Sequence, residues 1–208
     1  QDQAGFLAGL AAGFATATER VAVFADATTP DGLKYRNGFL SGARYACPKC
    51  RLDTVDLDGT QAVDFAAAEA GKYVSLGADV LFAAAGPAGD AALRSAAAAG
   101  GWVIGSGGDV YITLFEAGAA AGADRVLTSV YLDYGAALAA ALRAYAGGEQ
   151  PAGRQPLALA NGGVVLAPWR NAEAALSPLD LKDVEQTRLR LAERTLETGV
   201  DPVTGAER

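Results

Sequence analysis

Histidine is absent from this 208-residue chain. With it go the commonest general base and the commonest metal ligand, so a Ser–His–Asp or Cys–His site cannot be assembled from these residues alone. Methionine is missing too, even at the first position, which predicts a processed or partial product. No run is long enough to span a bilayer: the most apolar stretch, from Gly5 to Ala17, falls short of the roughly 20 residues required. No signal peptide is visible. Basic clusters are also lacking, and the net charge is −7. Nucleic-acid affinity rests on phosphate neutralisation, so an acidic chain without such a cluster argues against that partner and against an anionic membrane surface. Only two cysteines occur, in Cys47-Pro-Lys-Cys50. A structural disulfide, two free thiols and a redox pair all fit this spacing, whereas a zinc site lacks the ligands to complete it.

What is abundant is apolar and small. Hydrophobic residues make up 51% of the chain and glycine occurs 26 times. That suffices for one large core or two small lobes, with helices packed closely through small side chains. Gly5, Gly9 and Gly13 recur at four-residue spacing beside the row Phe6, Leu10 and Phe14, which predicts a buried helix with one nearly bare face. A strand follows at Arg20 to Ala25, then a turn at Thr29-Pro30-Asp31-Gly32 and a helix from Leu33 to Ala46. Arg51 to Leu57 alternates as a half-buried strand, and Gln61 to Leu76 reads as a helix. Val80 to Ala84, Trp102 to Gly105 and Arg125 to Tyr131 are further strands, with helices at Gly89 to Ala99 and Tyr134 to Tyr145. Asn161-Gly162-Gly163, between Leu157–Ala160 and Val164–Leu166, signals a hairpin. Ser177-Pro178-Leu179-Asp180 opens a last helix, expected to reach Glu197 and stop at Gly199. Strand–helix alternation with short loops predicts an α/β, doubly wound parallel sheet, whose ligands bind at the carboxyl ends of the strands.

Several blocks in order carry a resemblance. Gly5-Phe6-Leu7-Ala8-Gly9, Tyr35-Arg36-Asn37-Gly38-Phe39, Gly77-Ala78-Asp79-Val80 and Phe82-Ala83-Ala84-Ala85-Gly86 are followed by Leu127-Thr128-Ser129-Val130 and by Gly162 to Pro168. Together they resemble the basic membrane lipoprotein family, the nucleoside-type solute-binding proteins of ABC importers. The resemblance implies a type I periplasmic-binding-protein-like lobe over residues 18–129. Residues 1–17 and 130–208 would then be pieces of a second, incomplete lobe. It further implies an extracytoplasmic protein, with anchoring through a segment outside this chain as one option. A nucleoside-like ligand would be held between two lobes, the partner would be an ABC permease, and neither cofactor nor catalysis is implied. The missing lobe would come from an upstream segment, a second copy or another chain. With no metal partners present and an exported family, Cys47 and Cys50 are expected to pair. The alternative is a degenerate lobe reused as a structural or accessory subunit. It is favoured by Gly107 and Leu132, which stand where the family pattern leads one to expect a carboxylate and a lysine.

The ligand-site expectation therefore falls on Tyr35, Gly86 and Asp109. Asp109 would accept from ribose hydroxyls, or else bond its own turn. Tyr35 would stack on a base, or else pack on the lobe. Gly86 and Gly89 would let a ligand approach the backbone, or else serve the chain's own turns. Gly105-Ser106-Gly107-Gly108 lacks the Lys-Ser/Thr of a phosphate loop. Paired carboxylates at strand ends, as a sugar hydrolase would need, are not seen. Finally, Phe6, Leu10, Phe14, Leu138 and Leu142 are expected to form an exposed apolar flank, with the glycine row as a pairing surface.

Overall fold

The computed structural model describes residues 1–58, 63–149, 153 and 156–208. Six strands form one sheet: β1 (Arg20–Asp26), β2 (Arg51–Leu57), β3 (Val80–Ala84), β4 (Trp102–Ser106), β5 (Val126–Leu132) and β6 (Val164–Leu166). Their order is β2-β1-β3-β4-β5-β6, and β1 to β5 run parallel. Strands β1 and β3 are buried along nearly their whole length, as the middle of a sheet covered on both faces must be. The chain is thus an α/β lobe, a mostly parallel sheet with helices on both faces.

The helices are α1 (Asp2–Ala15), α2 (Pro30–Ala46), α3 (Val63–Ser75), α4 (Gly86–Ala98), the single turn α5 (Val110–Thr113), α6 (Tyr134–Ala146) and α7 (Pro178–Ala192). One core lies between the sheet and α1, α2 and α7, where Phe6, Leu10, Phe39, Phe82 and Ile104 meet. The other lies beneath α3, α4 and α5, around Phe24, Leu81, Leu93 and Phe115.

The first glycine row is spent inside the lobe. Helices α1 and α2 run side by side in the same direction. A Cβ at Gly5 or Gly9 would strike the carbonyl oxygen of Tyr35 or Phe39, and one at Gly38 or Gly42 would strike that of Asp2 or Phe6. Phe6 and Leu10 are fully buried. This corrects one expectation: the apolar row of residues 1–17 is not an open flank. The reason is that glycines on both helices let the backbones approach, so α1 fills the space between α2 and the sheet. The carboxylate of Asp79 fastens the end of α1, accepting from the Thr16 hydroxyl at 2.5 Å and from the Ala17 and Thr18 amides at 2.7 and 3.0 Å.

Three boundaries move for identifiable reasons. Thr29 caps α2 by accepting from the Gly32 amide at 3.1 Å, and Pro30 occupies the first helical turn, so the expected turn is helix. The expected hairpin does not form. Leu159–Asn161 is a short 3-10 turn, and β6 pairs antiparallel with β5 instead. The Asn161 side chain closes that turn, its Oδ1 accepting from the Ala158 and Gly163 amides at 3.0 Å each. Helix α7 starts at the expected cap, Ser177, which forms a capping box with Asp180, but it ends at Ala192, and Arg194 is already left-handed with φ 58°. The expected start of α3 at Gln61 lies outside the described residues. Cys47 and Cys50 are disulfide-bonded across the turn from α2 to β2, with Cα atoms 5.3 Å apart. Among the described residues no helix is long and apolar enough to cross a membrane.

Candidate functional site

In a sheet of order 2-1-3-4-5 the connections diverge to opposite faces between β1 and β3, and a crevice opens at the carboxyl ends there. The chain leaving β1 enters α2 on one face, and the chain leaving β3 enters α4 on the other. Tyr35 lies in the second turn of α2 and Gly86 opens α4, so the two flank this switch point. Asp109 sits one strand further along, in the loop that leaves β4.

Tyr35 is half-buried against the first core. Its ring lies 6.1 Å from that of Phe82, which is itself stacked on Phe39 at 5.4 Å. Burial, with smaller contributions from Tyr134 and Asp31, raises its phenol above the ordinary range, so it stays a hydrogen-bond donor at neutral pH. Gly86 is exposed with φ 55°, and a Cβ there would meet nothing within 4 Å. Glycine is needed there for the backbone turn into α4 rather than for want of room. Gly107 is likewise left-handed, with φ 78° and open space beside it.

Asp109 is committed within the protein. One carboxylate oxygen accepts from the Tyr111 amide at 3.1 Å, capping α5, and the other accepts from Arg170 Nη2 at 3.2 Å. The Arg170 guanidinium also lies 4.6 Å from the centre of the Tyr111 ring. Next to it, Val110 packs under Gly105, and its amide donates to the Ser129 hydroxyl at 3.0 Å. Tyr35 and Asp109 thus stand at the same edge of the sheet but toward opposite faces. Leu132, at the end of β5, is half-buried against the first core.

Several other polar groups of this edge are also paired. Ser106 donates to the Ala83 carbonyl at 2.8 Å, tying the ends of β3 and β4. Arg36 reaches Asp56, at the end of β2, at 2.7 Å. Asp26 accepts from the Thr28 amide and hydroxyl, and Asp133 caps α6 by accepting from the Ala136 amide at 2.7 Å. Arg36, Ser106 and Arg170 were not expected from sequence. Arg170 follows the Gly162–Pro168 block, but only the folded chain puts it beside Asp109. Among the described residues no cluster of His, Cys, Asp or Glu is arranged to hold a metal ion. Two concavities, of about 590 and 490 Å³, include none of Tyr35, Gly86 or Asp109, and the second borders the end of β5 at Asp133. The edge is open and offers one aromatic ring and several paired charges.

The chain resembles solved proteins of the same architecture. A solute-binding protein of an ABC transporter system from Conexibacter woesei superposes with a TM-score of 0.77 at 22% identity, over 94% of this chain and 62% of the other. A transcriptional activator of the comK gene from Bacillus halodurans gives 0.79 at 16% identity, over 94% and 64%. An ABC solute-binding protein from Aeropyrum pernix gives 0.74 at 13%, over 94% and 64%. At these identities the likeness establishes the fold, and this chain spans less than two thirds of each of those proteins. No curated protein matches the sequence. The sequence profile of the Bmp family, described as ABC transporter substrate-binding protein PnrA-like, matches residues 1–197. This chain belongs to the Bmp family.

Proposed function

We propose that this chain is the ligand-binding lobe of an extracytoplasmic solute-binding protein serving an ABC importer, and that its solute is a nucleoside-like small molecule. The family match over residues 1–197 carries the reading. The open carboxyl edge at the switch point supports it: Tyr35 offers a ring and a phenol, and Gly86 leaves the start of α4 bare. Binding and release, with no covalent chemistry, suit an edge whose charged groups are already paired. The disulfide fits an oxidising compartment. A permease would be the membrane partner.

The ligand would be enclosed by a second lobe, supplied by an upstream segment, a second copy or another chain. Helix α6 supports this. It leaves the sheet after β5 with no buried residue, while Tyr134, Leu138, Leu142 and Tyr145 are 66, 61, 59 and 70% exposed along one face. A second reading, an accessory lobe that binds no solute, is favoured by Asp109 being held by Arg170 and by the bare Gly107. Titration calorimetry with adenosine, guanosine, inosine and uridine separates the two. Heat with a nucleoside that is lost in Tyr35→Ala supports the binding protein. No heat with any of the four, using protein joined to its complementary lobe, supports the accessory reading.

A further inference from the structure

Beyond Leu196 and Glu197 the chain folds into a small hairpin of its own. The Asp201 amide donates to the Ala206 carbonyl at 2.8 Å, Gly205 to Asp201 at 2.9 Å and Arg208 to Gly199 at 2.9 Å, with Val200 bridged to Glu207. The Asp201 carboxylate closes the tip by accepting from the Val203 and Thr204 amides at 2.9 and 2.8 Å. These two bonds hold its pKa down to about 2. The tip is closed by its own hydrogen bonds.

The hairpin lies along α2. Val200 is buried, Arg44 of α2 reaches Glu207 at 3.1 Å, and Thr198 donates to Asp2, at the start of α1, at 2.9 Å. At the centre of the contact Gly205 is buried with φ 80°. A Cβ there would come within 2.8–2.9 Å of Leu33 Cβ, the Lys34 amide nitrogen and the Pro30 carbonyl oxygen. The Gly205 carbonyl accepts from the Asn37 side-chain amide at 2.6 Å, and Asn37 is only 5% exposed. An amide so buried must be satisfied, so the hairpin supplies a partner that α2 needs. The Asn37 oxygen in turn accepts from Arg36 Nε at 3.1 Å, and Arg36 Nη1 holds Asp56 at 2.7 Å. One polar chain therefore runs from the hairpin through α2 to the carboxyl end of β2.

We propose that residues 198–208 are a positioning strap, which fixes the first half of α2 through Gly205 and Asn37 and so sets Tyr35 and Arg36 at the rim of the crevice. This rests on the solute-binding reading only for what the rim receives; the mechanical coupling stands apart from it. In a half-site built on one open edge, the stiffness of α2 decides how much ordering the ligand must induce. A strap that orders α2 beforehand leaves less for the ligand to order.

The test is amide hydrogen exchange on the ligand-free full chain, comparing α2 with α3. Gly205→Val should lift the strap, because the added carbons meet backbone on α2. Asn37→Ala removes the bond while leaving the hairpin intact, and it carries the comparison alone if the valine variant does not fold. Both should speed exchange of the amides from Leu33 to Phe39 by about tenfold or more, with α3 unchanged. Gly205→Ala should fall between. Unchanged α2 exchange in the variants that fold, or equal acceleration of α2 and α3, overturns the proposal. Adenosine affinity, measured separately, should fall in Asn37→Ala. Failure of the native chain to bind adenosine would count against the nucleoside reading and leave the exchange result standing.

Discussion

At the scale of the residue, the question is what Asp109 is for. Its carboxylate bonds the Tyr111 amide and Arg170, so its first task is to hold α5 and the segment after β6 together. Arg170 is partly buried, and its Nε has no hydrogen-bond partner among the described residues. Removing Asp109 would leave a shielded cation with only the Tyr111 ring for company. Asp109→Ala should therefore destabilise the lobe by about 1–3 kcal/mol, combining a lost cap with a lost charged hydrogen bond. Asp109→Asn keeps an oxygen for the cap and should cost less. Urea unfolding of both variants checks this. If neither changes the midpoint while nucleoside affinity falls, the carboxylate serves ligand rather than fold.

At the scale of the element, the pairing of α1 with α2 is the most constrained feature. Glycines on both helices remove the side chains that would hold them apart, and the gap left for a Cβ at Gly9 is already occupied by the Phe39 carbonyl. A larger residue cannot be absorbed by a rotamer change, because the obstacle is backbone. Gly9→Ala should cost about 1–3 kcal/mol, the usual range for overpacking, and Gly9→Leu more. The loss should appear in thermal unfolding of the lobe itself. Were Gly9→Leu to leave that transition unmoved and only dissolve an assembly, the glycine row would be an external interface after all. The row's spacing was legible in the sequence; its partner was not, because a bare helix face fits a neighbour in the same lobe or in another chain equally well.

At the scale of the whole molecule, one element stands apart from the body it is attached to. Helix α6 has no fully buried residue, and its apolar stripe of Tyr134, Leu138, Leu142 and Tyr145 faces outward. Four large side chains in a row on one helix are more than scattered surface apolarity, and soluble monomers keep such patches small. The expected flank is therefore real but narrower than the sequence suggested, since Phe6 and Leu10 have gone inside. Replacing Leu138 and Leu142 with lysine should leave unfolding of the lobe within about 0.5 kcal/mol of the native value, as for surface changes generally. The same pair should abolish association with a complementary lobe or with a second copy. Sedimentation velocity across a concentration series reads this directly. A native chain that stays a 21.0 kDa monomer at every concentration, alone and with its complementary lobe, would show that the stripe recruits nothing.

The sequence by itself determined the type and order of the main strands and helices, though not α5 or the turn at Leu159–Asn161. Strand and helix differ in the period of their apolar residues, and that period is local. It also placed glycine-bearing loops after β3 and β4. Tyr35, Gly86 and Asp109 do lie at the carboxyl ends of neighbouring strands. Only the tertiary structure decided which partners they have. Arg170 reaches Asp109 across 61 positions, β6 turns back on β5 rather than forming a hairpin, and Gly205 reaches Asn37 across 168. These contacts depend on where the chain returns to after long excursions. No local pattern encodes that, since a polar side chain in sequence looks the same whether its partner is water, a ligand or a distant segment of its own chain.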